Sequence, residues 1–102
     1  MKRVALMAAL LTGFVALPAM ADQALATSKN CMACHGIDKK LVGPSFKDIA
    51  VKNKDDKTAV DRLATKIIKG GSGVWGPIPM PANPQINEAD AKKLSAWVLS
   101  LG

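Results

Sequence analysis

Residues 31 to 35 read Cys-Met-Ala-Cys-His, and they hold the only two cysteines and the only histidine of this 102-residue chain. Any chemistry that needs a thiol or an imidazole is therefore confined to five consecutive positions. A disulfide between cysteines three apart would close too short a loop to stabilise a fold appreciably. Small domains bury only a modest core and generally rely on disulfides, a metal or another staple. A group bound at this motif is expected to supply the missing interior.

The chain opens "MKRVALMAALLTGFVALPAMA", with Lys2 and Arg3 ahead of an apolar run from Val4 to Leu17 and small residues at Ala19 and Ala21. That is the plan of a secretory signal peptide, residues 1–21, cleaved after Ala21. The apolar run, 14 residues, is shorter than the ~20 that a membrane-spanning anchor takes. The predicted domain is 22–102, exported and without stable membrane insertion. Without Lys2 and Arg3, twelve basic side chains face eight acidic ones, a formal charge of +4 against +6 for the whole chain. The lysines are scattered, and the aromatics outside the leader are Phe46, Trp75 and Trp97. This pattern argues against nucleic acid and for an acidic protein partner.

The coarse reading is all-α. Asp22 is expected to cap a short helix carrying Leu25 and Ala26 toward Cys31. "GIDKKLVGP" is a loop broken by Gly36, Gly43 and Pro44. Ser45 with Asp48 resembles a capping box for a brief helix that buries Phe46, Ile49 and Ala50. Residues 53–57 are polar and read as a loop. Thr58 with Asp61 repeats the capping signal, and Val60, Leu63, Ala64 and Ile67 form one face of a helix stopped by Gly70 and Gly71. "GSGVWGPIPMPANP" has three Gly and four Pro in fourteen residues and excludes regular structure. Asn87 then caps a last helix, with Glu88 and Asp90 at its positive end and Leu94, Trp97, Val98 and Leu101 on one face.

Cys-x-x-Cys-His is the attachment signature of c-type heme. Both thiols, Cys31 and Cys34, add to the two porphyrin vinyl groups, and the intervening pair lets the chain bridge them. His35 is then carried beneath the ring as an iron ligand. Attachment takes place outside the cytoplasm, in keeping with the leader. Three readings compete. A thioredoxin-like pair expects a βαβ setting, and no strand is predicted. A structural zinc wants four protein ligands, and the chain offers three good ones. A plain disulfide leaves His35 without a role.

If heme is bound, the second axial ligand cannot be histidine. Outside the leader the methionines are Met32 and Met80. Met32 lies between the cysteines, with no chain length to reach the opposite face. Methionines are usually core filler, but Met80 stands between Pro79 and Pro81 in a strandless loop, a poor place for packing. Prolines lower the entropy lost when such a loop is ordered. His35 and Met80 are thus the predicted metal ligands. A His/Met pair leaves the iron no open site and raises its potential, so the predicted task is one-electron transfer rather than enzymatic catalysis. The heme faces are expected to pack against Phe46, Leu63, Ile67, Leu94, Trp97 and Val98.

The segments "CMACH", "VGPSFKDIA", "GVWGPIPMP" and "LSAWVLS" stand in the order and spacing of the short bacterial class I cytochromes c, of the c-551/c-552 type, and the chain resembles that family over essentially all of 22–102. The resemblance implies a small class I cytochrome c fold, four to five short helices around one covalent heme c. It implies that the Pro44 carbonyl accepts from His35, that the Asn83 amide approaches the Met80 sulfur, and that the Trp75 indole meets a heme propionate, where plain packing is its other reading. Lys66 sits where many relatives carry an arginine near the inner propionate. Met32, Pro77, Ile78, Pro79, Pro81 and Ala82 match the apolar patch around the exposed heme edge where redox protein partners dock, with Lys29, Lys39, Lys40 and Lys66 as a basic rim.

The resulting expectation is a monomeric periplasmic carrier. It takes electrons from a quinol-oxidising complex or another cytochrome and passes them to terminal reductases or oxidases, for example a nitrite reductase or a cytochrome c peroxidase. Two alternatives stay open. One is a ligand-binding or peroxidatic heme protein with a labile Met80; the other is a zinc or dithiol protein without heme.

Overall fold

The computed structural model describes residues 18–102, with side chains from Asp22 onward. The expected leader 1–21 therefore lies outside the described residues, apart from the backbone of 18–21. Four α-helices follow: α1 (Pro18–Ser28), α2 (Phe46–Lys52), α3 (Ala59–Lys69) and α4 (Glu88–Leu99), with a 3-10 turn over Cys31–Ala33 between the first two. Among the described residues, extended pairing is limited to two isolated bridges, His35 with Lys40 and Gly71 with Met80.

Two of the predicted caps form. Ser45 Oγ accepts from the Asp48 amide at 3.1 Å, and Asn87 Oδ1 accepts from the Asp90 amide at 2.7 Å. Both residues have extended backbone, which aims a short polar side chain back at the first turn. Thr58 does not cap as expected. Its hydroxyl and its amide both donate to Asp56 Oδ1, at 2.6 and 2.8 Å. A carboxylate two residues upstream outcompetes the helix for the hydroxyl. Asp22 is no cap either, because α1 begins four residues earlier at Pro18, where the fixed φ of proline suits a first helical position.

The helix α4 is the hub, packing against α1, α2 and most extensively α3. Its buried side chains Ala91, Leu94, Trp97 and Val98 join Ala26, Phe46, Ile49, Ala64 and Ile86 in one core. Small residues on α3, Ala59 and Ala64, are buried, and the buried Ser95 of α4 donates to the Val60 carbonyl at 2.7 Å. That bond ties the two helices. Gly70 ends α3 with φ 71°, and a Cβ there would stand 2.5 Å from the Met80 carbonyl. The glycine both turns the chain and admits the returning loop.

Candidate functional site

The motif is shaped by its own backbone. Asn30, at φ 64°, turns the chain out of α1, a left-handed conformation that asparagine tolerates better than most residues. The amides of Cys34 and His35 both donate to the Cys31 carbonyl, at 3.2 and 3.1 Å. Side chains three apart in a 3-10 turn eclipse one another, which brings Cys31 and Cys34 to one side as free thiols. Burial pushes the Cys31 thiol above its ordinary value, with a smaller push from the neighbouring Cys34.

His35 is held on several sides. Its Nδ1 lies 2.7 Å from the Pro44 carbonyl. A carbonyl only accepts, so Nδ1 carries the proton and Nε2 keeps a lone pair for a metal. The ring stacks on Phe46 at 5.0 Å and 21°, and Phe46 packs edge-on against Trp97 at 5.3 Å. Gly43 closes the remaining side. A Cβ there would lie 2.6 Å from His35 Cε1, so any larger residue would displace the ring.

A single cleft collects most of the predicted residues. Cys34, His35, Pro44, Lys66, Trp75 and Met80 line it, together with Ile78, Pro79 and Pro81. Met80 exchanges backbone hydrogen bonds with Gly71, 2.8 and 3.0 Å, which closes the loop just beyond the end of α3. Four of the large exposed hydrophobic side chains, Val42, Val74, Trp75 (45%) and Ile78 (63%), face this same cleft. They offer apolar surface that a flat macrocycle would take out of water. The donor set also fits: the Cys34 thiol, an imidazole nitrogen and a thioether share this largely apolar cleft, with Cys31 one turn before Cys34 and packed against the core.

Other expectations are placed differently. The Asn83 amide nitrogen donates to the Ile67 and Pro81 carbonyls, at 3.0 and 3.2 Å. The Asn83 side chain thus tethers the loop to α3. Of the expected packing set, Leu63, Ile67 and Val98 line the cleft. Phe46, Leu94 and Trp97 lie in the core, Phe46 stacked on the imidazole and Trp97 edge-on against Phe46. Met32 also packs against that core, whereas Pro77, Ile78, Pro79, Pro81 and Ala82 are exposed.

Several site residues had no motif to announce them. Gly43 and Phe46 act on His35 through packing, and Ile49 and Ser95 reach the cleft wall. Asn53, expected in a polar loop, is buried and donates to the Ile49 carbonyl at 2.8 Å. Its side-chain oxygen accepts from Arg62 Nη2, and that nitrogen also meets Asp56 Oδ2 at 2.7 Å. The only signal was helical register. Arg62 falls one turn before Lys66 on α3.

A small helical domain that closes around a Cys-x-x-Cys-His turn and a facing methionine is built to carry a covalent heme. The chain belongs to the cytochrome c family, whose profile, described as "Cytochrome c", matches residues 20–102. It is 53% identical over 83 residues to cytochrome c-552 of Nitrosomonas europaea, covering 81% of each chain. It is 49% identical over 104 residues to cytochrome c-551 of Stutzerimonas stutzeri, covering 99% of each. The crystal structure of the wild-type Nitrosomonas europaea protein superimposes with a TM-score of 0.77 at 51% identity, covering 78% of this chain and 99% of that one. The protein is therefore a small class I electron-transfer cytochrome with covalently bound heme c, and not an enzyme. No helix among the described residues is long and apolar enough to cross a membrane.

Proposed function

We propose that the protein is a periplasmic one-electron carrier whose heme iron is held between His35 Nε2 and the Met80 sulfur. The observation that carries this reading is the convergence of the two side chains on one cleft, the imidazole oriented by Pro44 and the methionine by Gly71. Bound there, the heme supplies an iron centre that exchanges single electrons. Cys31 and Cys34 would hold the heme as thioethers, each formed by adding S–H across a vinyl double bond, sulfur to one carbon and hydrogen to the other, so that attachment would need no external oxidant. The leader 1–21, cleaved after Ala21, would deliver domain 22–102 to the compartment where that attachment occurs.

The exposed strip Pro77, Ile78, Pro79, Pro81 and Ala82 is the surface offered to redox partners. The exposed Lys39 and Lys40 would steer acidic ones toward it. Donors would be a quinol-oxidising complex or another cytochrome. Acceptors would be terminal reductases or oxidases, a nitrite reductase or cytochrome c peroxidase among them.

The test is the near-infrared band of iron bound to a thioether in the oxidised heme-loaded protein, compared with Met80→Ala. The variant is expected to lose the band, fall in reduction potential and bind carbon monoxide when reduced. Unchanged spectra and potential would remove Met80 from the iron.

A further inference from the structure

The cleft has a basic sector. Lys52 at the end of α2 and Arg62 and Lys66 on α3 line it, and no acidic side chain among the described residues does. The sector lies away from the cysteines. The helix α2 starts beside the motif, where the Phe46 and Lys47 amides donate to the Gly36 and Ile37 carbonyls. Its seven residues carry the chain ~10 Å onward to Lys52 and Asn53. Heme bears its two propionates on the pyrroles opposite those with the vinyl groups. Thioether attachment at Cys31 and Cys34 thus sends the carboxylates toward this sector.

The three cations are not equivalent. Lys52 Nζ lies over the Trp75 ring, 5.3 Å from its centroid. Lys66 Nζ rests beside Gly71, where a Cβ would come within 2.8 Å. Each is a single charge on a flexible stem. Arg62 is fixed: Nη2 is committed to Asn53 and Asp56, and Asn53 is itself buried and anchored to Ile49. Its Nε–H and Nη1 hydrogens have no protein acceptor among the described residues. A guanidinium held through Nη2 keeps its full charge and these remaining donors, each able to reach a carboxylate oxygen singly.

We propose that Arg62, clamped from behind by Asn53 and Asp56, is a cofactor-binding residue that receives a heme propionate. The inference rests on the heme reading above. The groups facing that carboxylate are then Arg62 and Lys66 from α3, Lys52 from α2 and the Trp75 indole from the loop, with the Asp56 carboxylate behind the guanidinium opposing them. A permanently charged guanidinium holds the propionate ionised in both oxidation states. The reduction potential therefore stays flat through the neutral pH range.

The test is the reduction potential of heme-loaded protein followed against pH for the parent, Arg62→Gln, Arg62→Lys and Lys66→Gln. In Arg62→Gln the onset of pH dependence is expected to move up by about one pH unit or more, with partial return in Arg62→Lys. A loss of the α2–α3 tether alone would lower the unfolding midpoint and leave the profile in place, and that outcome overturns the proposal. So does a profile that moves in Lys66→Gln but not in Arg62→Gln. A protein without covalent heme, seen by mass, would instead defeat the underlying reading.

Discussion

The two proposed iron ligands, His35 and Met80, are supported in different ways. His35 is 9% exposed and belongs to the core, with its ring bonded to Pro44, stacked on Phe46 and backed through Phe46 by Trp97. Met80 belongs to a segment, 71–84, whose residues are mostly exposed. The segment closes on itself through the Gly71–Met80 backbone pair and is tied to α3 by the Asn83 side chain on the Ile67 carbonyl and the Asn83 amide on the Ile68 carbonyl at 2.9 Å. The first ligand inherits the stability of the whole domain. The second depends on a local unit that can open at lower free energy.

The harshest way to break this comparison is Phe46→Ala. It removes the stacking partner of the imidazole and leaves a cavity against Trp97, so unfolding free energy of the heme-loaded protein should fall by about 3–5 kcal/mol. Denaturant titration followed by helical circular dichroism measures it. A loss below about 1 kcal/mol would place the imidazole outside the cooperative core.

Asn83→Ala sharpens the other half. It deletes two hydrogen bonds to backbone, each worth about 1 kcal/mol, and the loss should appear locally. The thioether–iron band is expected to disappear at lower denaturant than the helical signal, by a wider margin than in the parent. If the two signals still vanish together, the methionine loop is not a separate unit.

What the chain announced in advance follows the same division. Local chemistry was legible. Ser45 and Asn87 cap as their positions imply, the glycine pair stops α3, and five contiguous residues name the cofactor. Helical periodicity also placed Leu94, Trp97 and Val98 in the interior. The failures came where a side-chain contact that no pattern encodes redirects a residue whose own signal pointed elsewhere. Thr58 turned to Asp56, and Asn53, expected in a polar loop, is buried against Ile49 and Arg62. Ile86 is fully buried although it follows a proline-rich loop, because the turn at Asn83, whose carbonyl accepts from the Ile86 amide at 3.0 Å, folds it under α4. None of these contacts has a periodicity that could have disclosed it.

The smallest expected effect tests whether burial, rather than the number of polar contacts, orders these regions. Asp56 takes part in three of the shorter polar contacts, 2.6 to 2.8 Å, yet it sits at the surface. The Thr58 hydroxyl, and after it Arg62, hold its carboxyl down to about 2, against about 3.9 in an unfolded chain. A depressed folded value means that the ionised form stabilises fully above about pH 4 and that this contribution is lost as pH falls through about 2. Asp56→Asn should therefore differ from the parent slightly at neutral pH and converge with it near pH 2, as seen in urea midpoints of the heme-loaded proteins. Solvent screening keeps the neutral-pH difference small. A difference there approaching that of Phe46→Ala would mean that a surface network, and not the packing behind His35, carries the stability of this end of the molecule.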